Sequence, residues 1–149
     1  MLKEFLVKAK IATYASDGEG GERKLEDGGR ELSFSQGAYK YRDRYYGFNP
    51  FIGEEVVWLD GRVVWGMNYC GMLVNGVDAK AVYGFLKKAL KKVPVSVPYR
   101  GPELLEENGY RYENSWKEKN GFFGGSEIIL SNGELVYELF YHGFVIRSK

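Results

Sequence analysis

The sequence predicts an α+β fold: an antiparallel sheet made of hairpins and a C-terminal three-stranded meander, together with two α-helices. Apolar residues recur at helical spacing in two segments, at about 2–14 and 78–92. The other segments alternate apolar and polar residues and are interrupted by two-residue turn signals: Asp60-Gly61, Asn120-Gly121 and Asn132-Gly133. Such pairs readily adopt the backbone of a tight hairpin turn, so each predicts two antiparallel strands.

The overall composition narrows the class of protein. Of the 149 residues, 44% are hydrophobic and 28% are charged, and the formal net charge is +1. This balance predicts one globular domain over 1–149. A dedicated nucleic-acid binder usually carries a basic excess, so we expect no direct nucleic-acid binding. The sequence shows neither a signal-peptide core nor an apolar run of about 20 residues, which predicts a cytoplasmic protein without a membrane partner.

The first predicted helix, at about 2–14, has apolar residues on two opposite sides. One side is a regular helical stripe, and the other lies nearly opposite to it. The second side is either buried in the same fold or contacts a partner, so a homo-oligomer formed through this helix stays open. The stripe comprises Leu2, Phe5, Leu6, Ala9 and Ala12, and the opposite side comprises Val7, Ile11 and Tyr14.

Residues 15–30 are rich in glycine and charge and contain almost no apolar side chains. Such a segment cannot bury enough surface to offset its ordering entropy, which predicts a mobile loop. No Gly-Lys-Ser/Thr follows its glycines, so we do not interpret the segment as a phosphate-binding loop.

The predicted strand at 38–47 places a carboxylate among aromatic residues. Alternation puts Tyr39, Tyr41, Asp43 and Tyr45 on one face. A carboxylate on an aromatic face has a raised pKa unless a cation or hydrogen-bond donors satisfy it. Asp43 is therefore a candidate ligand-binding residue, and a hydrogen bond from a tyrosine or a pair with an arginine is the structural alternative.

The hairpin around Asp60-Gly61 supplies four more candidates. If this pair forms a two-residue turn, Glu55 and Asn68 share one face, and a glycine lies opposite Glu55. Glycine within a strand often marks close approach of a ligand, so Glu55 and Asn68 are candidate ligand contacts, with a bulge or tight packing as the alternative. Trp65 and Tyr69 share the other face and are candidate walls of a pocket.

The second predicted helix, at about 78–92, begins at Asp78, a good N-cap, and ends before Pro94. Its last turns are rich in lysine, which indicates a solvated helix end that the helix dipole favours. The segment at 93–102 that follows is rich in proline and predicts an extended connector. The residues predicted to be buried are Val82, Phe85, Leu86, Ala89 and Leu90.

The predicted meander covers three strands between about 109 and 142. Counting from its two Asn-Gly turns, Glu127 lies opposite Glu138. Like charges opposite each other destabilise a sheet, so a compensating partner is expected. Arg100, in the connector, is one candidate for this role, and a bound cation and solvent exposure are the others.

Cys70 and His142 are the only residues of their kinds. A disulfide within the chain, a cysteine zinc cluster and a multi-histidine metal site are therefore excluded, and the sequence identifies no metal ligand or cofactor. It contains neither a Gly-x-Ser-x-Gly elbow nor a dinucleotide-binding fingerprint. Acid–base catalysis by a pair of carboxylates stays open.

Seven short motifs, spread over nearly the whole chain, resemble an uncharacterised family described as a domain of unknown function. The resemblance implies relatives that occur as stand-alone bacterial and archaeal proteins and as the C-terminal part of helix-turn-helix regulators of the XRE type. It implies no particular activity, and no helix-turn-helix segment is recognisable here. The motifs are ATYA (12–15), YRDRYYG (41–47), FIGEE (51–55), VWGMNYCG (64–71), PYRGP (98–102), FFGGSEI (122–128) and VYELFYHG (136–143).

The leading hypothesis from the sequence is a small-molecule binding or sensing module with an aromatic pocket that contains carboxylates. One alternative is a hydrolase or isomerase that uses carboxylates, with or without a metal ion. Another is a protein–protein interaction domain without catalytic activity. The predicted ligand-binding residues are Asp43, Glu55, Trp65, Asn68, Tyr69, Arg100 and Glu127.

Overall fold

The computed structural model describes residues 1–13, 22–74 and 76–147. The elements are α1 Leu2–Ala12, β1 Arg23–Lys24, β2 Arg30–Gln36, β3 Tyr39–Gly47, β4 Phe51–Leu59, β5 Arg62–Leu73, α2 Ala79–Leu90, β6 Leu104–Glu107, β7 Tyr110–Lys119, β8 Phe122–Ser131 and β9 Glu134–Val145. The described strands form one nine-stranded antiparallel sheet in the order β1-β2-β3-β4-β5-β9-β8-β7-β6. The predicted α+β class is confirmed. Two meanders are joined where β5 pairs with β9.

One face of the sheet, here called the inner face, packs against both helices. Helix α1 lies against β2 and β3, and α2 lies against β7. Both helices contribute side chains to one buried core that also contains sheet residues such as Tyr41, Met67 and Leu139. The opposite, outer face carries exposed side chains such as Phe140. The faces therefore differ in burial, and a residue's position in the strand alternation decides its environment.

Helix α1 buries a charged residue together with its apolar stripe. Phe5, Leu6 and Ala9 are buried as predicted, whereas Ala12 is exposed and Lys10 is buried instead. Lys10 follows Leu6 by about one helical turn, so its side chain points towards the sheet. This position brings an ammonium group into the interior.

The second apolar side of α1 is only partly exposed. Val7 is half-buried, Ile11 is exposed, and Tyr14 lies outside the described residues. An oligomer contact through this side therefore stays a prediction.

Helix α2 has the predicted cap and the predicted core face. The side chain of Asp78 accepts a hydrogen bond from the backbone amide of Ala81 at 3.2 Å. Neither helix in the described part of the chain has the length and apolar character that a membrane crossing needs. The buried residues are Val82, Phe85, Leu86, Ala89 and Leu90, as predicted.

The exposed side of α2 contains a glycine, Gly84, whose missing side chain would meet no atom within 4 Å. Since glycine is a poor helix former, we expect Gly84→Ala to raise the free energy of unfolding by about 0.5–1 kcal/mol. Urea denaturation measures this difference. Gly61→Ala is the control, because Gly61 has a φ of +76° and alanine there should destabilise the protein. A loss of stability in Gly84→Ala would contradict the expectation.

A β-bulge in β5 changes the register predicted for the β4–β5 hairpin. The turn at Asp60-Gly61 is the expected two-residue turn. Val64, however, is an extra residue in β5, so Val57 lies opposite Trp65. One extra residue reverses the alternation of one strand relative to its neighbour.

Because of this bulge, the predicted faces of the hairpin are wrong. Glu55 shares the inner face with Trp65 and Tyr69 instead of lying opposite to them. Asn68, which was predicted to lie beside Glu55, lies on the outer face and is opposite Glu54 in the register.

The predicted pairing of Glu127 with Glu138 is wrong, because β9 contains a second bulge. Val136 is an extra residue, so Glu127 lies opposite Leu139, and Glu138 lies opposite Ile128. Glu127 and Glu138 therefore point to opposite faces of the sheet, and the predicted like-charge pair does not exist.

The loop predicted at 15–30 is partly a hairpin. Residues 15–21 lie outside the described residues, whereas β1 pairs with the start of β2, so the prediction is wrong for this later part. Charged residues pair across these strands: Arg23 Nη2 lies 2.9 Å from Glu31 Oε1.

Two further segments differ from the sequence prediction. The connector at 93–102 consists of successive turns rather than an extended chain, and the amide of Val97 donates to the carbonyl oxygen of Pro94 at 3.2 Å. The C-terminal meander has a fourth strand, β6, which a two-residue turn at Asn108-Gly109 joins to β7.

Candidate functional site

Five charged side chains, here called the ionic cluster, are buried at the inner face. They come from α1, β3, β4, β8 and the turns that follow α2, so they converge only in the folded chain. Burying a charge is costly unless it is paired and hydrogen-bonded. The partners of each group therefore indicate its role. The cluster comprises Lys10, Asp43, Glu55, Arg100 and Glu127, each at most 6% exposed.

Glu55 is the carboxylate that binds the buried lysine of α1. The ammonium of Lys10 donates to both carboxylate oxygens, at 2.9 and 2.8 Å, and the hydroxyl of Tyr41 also donates to Glu55. Lys10 further donates to the backbone carbonyl of Tyr99 at 2.6 Å. Burial lowers the pKa of Lys10, and the charge of Glu55 opposes this effect. These bonds connect α1, the sheet and the connector.

Glu127 is satisfied by a second set of donors. Arg100 Nη2 lies 2.5 Å from one of its carboxylate oxygens, and the hydroxyls of Tyr112 and Tyr137 donate to it at 2.5 and 2.7 Å. Arg100 is thus a partner of Glu127, as one of the three alternatives predicted. In the described residues no group of three acidic, histidine or cysteine side chains is placed to hold a metal ion.

Asp43 differs from the other two acids of the cluster. It lies directly opposite Glu55 in the β3–β4 register and accepts one hydrogen bond, from the hydroxyl of Tyr69 at 2.6 Å. It forms no ion pair with any described residue. Burial, together with the charge of Glu55, raises the pKa of Asp43 to about 7. Protonation of Asp43 would leave two acids and two cations in the cluster.

Three glycines, here called glycine seats, leave space for tyrosine rings whose hydroxyls donate to Asp43, Glu127 and Asn114. Gly53 lies opposite Tyr69, and a Cβ there would overlap the Tyr69 hydroxyl. The ring can therefore lie across β4 and reach Asp43 on β3. The other two seats are Gly101 beneath Tyr112 and Gly125 beneath Tyr141, where a Cβ would lie 2.8 and 2.6 Å from the hydroxyl oxygen.

A cleft beside Asp43, here called the aromatic cleft, lies between α2 and strands β3–β5 and has a volume of about 230 Å³. The rings of Phe51 and Tyr69 meet edge-on with centroids 6.1 Å apart, and those of Phe51 and Tyr83 meet at 6.2 Å. The Tyr83 hydroxyl donates to the carbonyl oxygen of Phe48 at 2.6 Å and so connects α2 with the β3–β4 turn. The lining residues are Tyr45, Gly47, Phe48, Phe51, Tyr69, Tyr83 and Lys87.

Tyr69 connects the aromatic cleft with the ionic cluster. Its ring lines the aromatic cleft, its hydroxyl donates to Asp43, and the guanidinium of Arg100 lies 5.7 Å from its ring centroid. A molecule in the cleft would therefore contact a side chain that is hydrogen-bonded to Asp43, the acid of the ionic cluster that forms no ion pair with a described residue.

The structure brings most of the predicted site residues together. Asp43, Glu55, Tyr69, Arg100 and Glu127 meet in or beside the ionic cluster.

The other two predicted residues do not line the aromatic cleft. Trp65 is a buried core residue that stacks on Phe123 at 5.7 Å and has the Lys10 ammonium 5.5 Å from its ring. Asn68 is on the outer face, next to His142 in the register.

Sequence reasoning missed Lys10 and most of the cleft. The signal for Lys10 was its place one turn after Leu6 on a helix that otherwise buries apolar residues. Phe48, Phe51 and Tyr83 carried no such signal, because the cleft forms only when α2 packs beside the β3–β4 turn.

The fold and the site define an α+β domain with buried ion pairs beside an aromatic cleft. Residues 43–146 match the family model described as Domain of unknown function (DUF5680), and the chain belongs to this family. The matched residues include the whole cleft and all of the ionic cluster except Lys10. Neither a curated protein nor a solved structure gives a significant match.

Proposed function

We propose that this protein is a small-molecule binding and sensing module whose ligand occupies the aromatic cleft. The observation that carries the proposal is the position of Tyr69, which lines the cleft and donates to Asp43. Ligand sites are usually concave and largely apolar, with a few polar groups that orient the ligand. The cleft has this composition.

The size of the cleft limits the ligand. Its volume of about 230 Å³ is below the roughly 300–1,000 Å³ of sites for drug-sized molecules. It exceeds the roughly 150 Å³ of an engineered cavity that binds benzene. We therefore expect a ligand of about one ring with one or two substituents.

A sensing role follows from the connection between cleft and cluster. A ligand that engages the Tyr69 hydroxyl would change the hydrogen bond from Tyr69 to Asp43, and with it the proton affinity of a carboxyl whose pKa is about 7. The cluster in turn holds α1 through Lys10. A ligand shifts such an arrangement only as far as its affinities for the two states differ. The resemblance to C-terminal parts of helix-turn-helix regulators fits this role by analogy.

Acid–base catalysis is the second candidate, because a carboxyl with a pKa of about 7 is suited to proton transfer at neutral pH. Asp43 is only 2% exposed, however, and it borders the cleft through the hydroxyl of Tyr69. A substrate in the cleft would meet the tyrosine first. Binding is therefore the better supported function.

The test is a thermal-shift screen of one-ring compounds on the purified protein. A ligand at 100 times its Kd should add about 2.7 kcal/mol to the free energy of unfolding and raise Tm by a few degrees. Phe48→Ala should abolish the shift, because Phe48 lines the cleft and is 66% exposed, so its removal spares the core. Phe140→Ala, on the outer face and 57% exposed, is the matched control and should keep the shift.

Two results would contradict the proposal. One is the absence of any stabilising compound across a broad one-ring library. The other is a hit that Phe140→Ala abolishes and Phe48→Ala leaves unchanged, which would place binding on the outer face.

A further inference from the structure

We propose that the ligand of the aromatic cleft is a small aromatic acid, whose ring packs among the aromatic side chains and whose carboxylate pairs with Lys87. This inference rests on the proposed function and adds the chemical class of the ligand. It follows from the charges, the hydroxyl protons and the size of the cleft.

Among the described residues that line the cleft, Lys87 is the one whose side chain carries a charge at neutral pH. It is half-buried and, within the described part of the chain, its ammonium makes no ion pair. Its neighbour Lys88 points away from the cleft and lies 2.7 Å from Glu107. The dipole of α2 favours a cation in this last turn but does not require that it line a cleft. Lys87 is thus a cation placed beside aromatic rings and available to an anion.

The hydroxyls of the three tyrosines that line the cleft each donate a hydrogen bond within the protein. Tyr45 donates to Glu22, Tyr69 donates to Asp43, and Tyr83 donates to the backbone carbonyl of Phe48. Burial raises the pKa of Tyr83 to about 12 and also raises that of Tyr45, so both stay neutral at pH 7. An anionic group of the ligand therefore has Lys87 as its partner, whereas the hydroxyl oxygens can accept hydrogen bonds from ring substituents.

The charge of the cleft decides between two classes of aromatic-box ligand. Aromatic side chains around a pocket also suit quaternary ammonium groups, which interact with the ring faces. Here such a cation would be repelled by Lys87 at close range. The charge of the helix also favours anions, because five lysines at positions 80, 87, 88, 91 and 92 lie on or just after α2 and the cap Asp78 is the one acidic residue between positions 78 and 92. Lys88 is paired with Glu107, which lies on β6. A positive field of this kind attracts anions.

The volume and the aromatic walls explain why the anion should carry a ring. Simple anions such as acetate or phosphate would leave the apolar part of the cleft unfilled and forgo the burial of apolar surface. A benzoate-sized molecule satisfies both requirements, since about 230 Å³ accommodates one ring and a carboxylate.

The experiment compares probes of equal shape and different charge by titration calorimetry at low ionic strength. The probes are benzoate and phenylacetate, their uncharged amides, benzyltrimethylammonium, and acetate as the anion without a ring. We expect the two aromatic acids to bind at least fivefold more tightly than their amides and than the cation, and acetate to bind more weakly still.

Variants assign this preference to one residue. Lys87→Met keeps the apolar stem and should make each acid bind no better than its amide. Lys80→Met removes an exposed lysine from the first turn of the same helix and should keep the preference. Retention of the preference in Lys87→Met would overturn the assignment.

The outcomes also separate the ligand class from the proposed function. Amides or the cation binding as tightly as the acids, with Phe48→Ala abolishing that binding, would overturn the aromatic-acid class and leave the binding function intact. No binding by any probe, together with no hit in the one-ring library, would overturn both.

Discussion

Glu55→Gln is expected to lower the free energy of unfolding by about 3–5 kcal/mol, because it would leave the ammonium of Lys10 buried without its carboxylate. Lys10 is 6% exposed and donates to both oxygens of Glu55, so water cannot easily replace the lost partner. Urea denaturation at pH 7 measures the effect. A cost below about 1 kcal/mol, the range of exposed pairs, would contradict the expectation.

Two further variants test whether this cost comes from the ion pair. Glu54→Gln is the matched control, since Glu54 is the adjacent residue, points to the outer face and lies 3.6 Å from Arg42 in a half-exposed pair. We expect a change within about 0.5 kcal/mol there. In the double variant Lys10→Met/Glu55→Gln, both charges are gone, so its cost should be smaller than the sum of the two single costs.

Asp43→Asn is expected to remove most of a pH dependence of stability. The carboxyl has a pKa of about 7 in the folded protein against an ordinary value of 3.8, so between these pH values the folded state binds more protons than the unfolded state. This contribution to stability is fully present below about pH 3.8 and is lost as the pH rises to about 7. Near pH 5.5 the wild type should therefore lose about 1.4 kcal/mol per pH unit from this group.

The difference in stability between Asp43→Asn and the wild type is expected to be largest at pH 8. The wild type there holds an ionised, buried Asp43, whereas asparagine is uncharged and its side-chain oxygen can still accept the Tyr69 hydrogen bond. The raised pKa corresponds to roughly 4 kcal/mol, which is an upper limit for the gain in stability of Asp43→Asn at pH 8. Urea denaturation at several pH values gives both curves.

The control for this series is Asp60→Asn. Asp60 is an exposed turn residue with a φ of +48°, a conformation that asparagine also tolerates. Its variant should follow the wild-type pH profile. Equal pH profiles for wild type and Asp43→Asn, or a loss of stability in Asp43→Asn at pH 8, would contradict the assignment of a near-neutral pKa to this carboxyl.

Local chemistry explains which parts of the fold could be predicted from the sequence. Asp60, Asn120 and Asn132 each have positive φ, as a tight turn before glycine requires, and all three predicted hairpins are present. The core face of α2 follows from residue spacing alone. In both cases the determining residues are neighbours in the chain.

The bulges at Val64 and Val136 could not be predicted in the same way. Valine fits regular strands and bulged strands alike, and nothing beside it marks an extra residue. The carbonyls of these two residues accept hydrogen bonds from Ile146 and Val74, which lie far away in sequence. One residue of register then decided that Asn68 points away from Glu55.

The candidate site shows the same limit. Asp43 was recognisable because a carboxylate alternates with tyrosines on its own strand. The position of Lys10 on the buried side of α1 was visible in the residue spacing, but a lysine on an amphipathic helix is normally solvated, and only the packing of α1 brings it to Glu55. The partner of a buried charge is a property of the tertiary structure.

The glycine seats imply that each seat and the tyrosine above it should change together during evolution. A side chain at position 53 would displace the ring of Tyr69 and so deprive Asp43, on another strand, of its hydrogen-bond donor. We therefore expect a substitution at Gly53 to be better tolerated when the residue at 69 is smaller than tyrosine. In related sequences, substitutions at this site should therefore occur together at two or three positions on neighbouring strands.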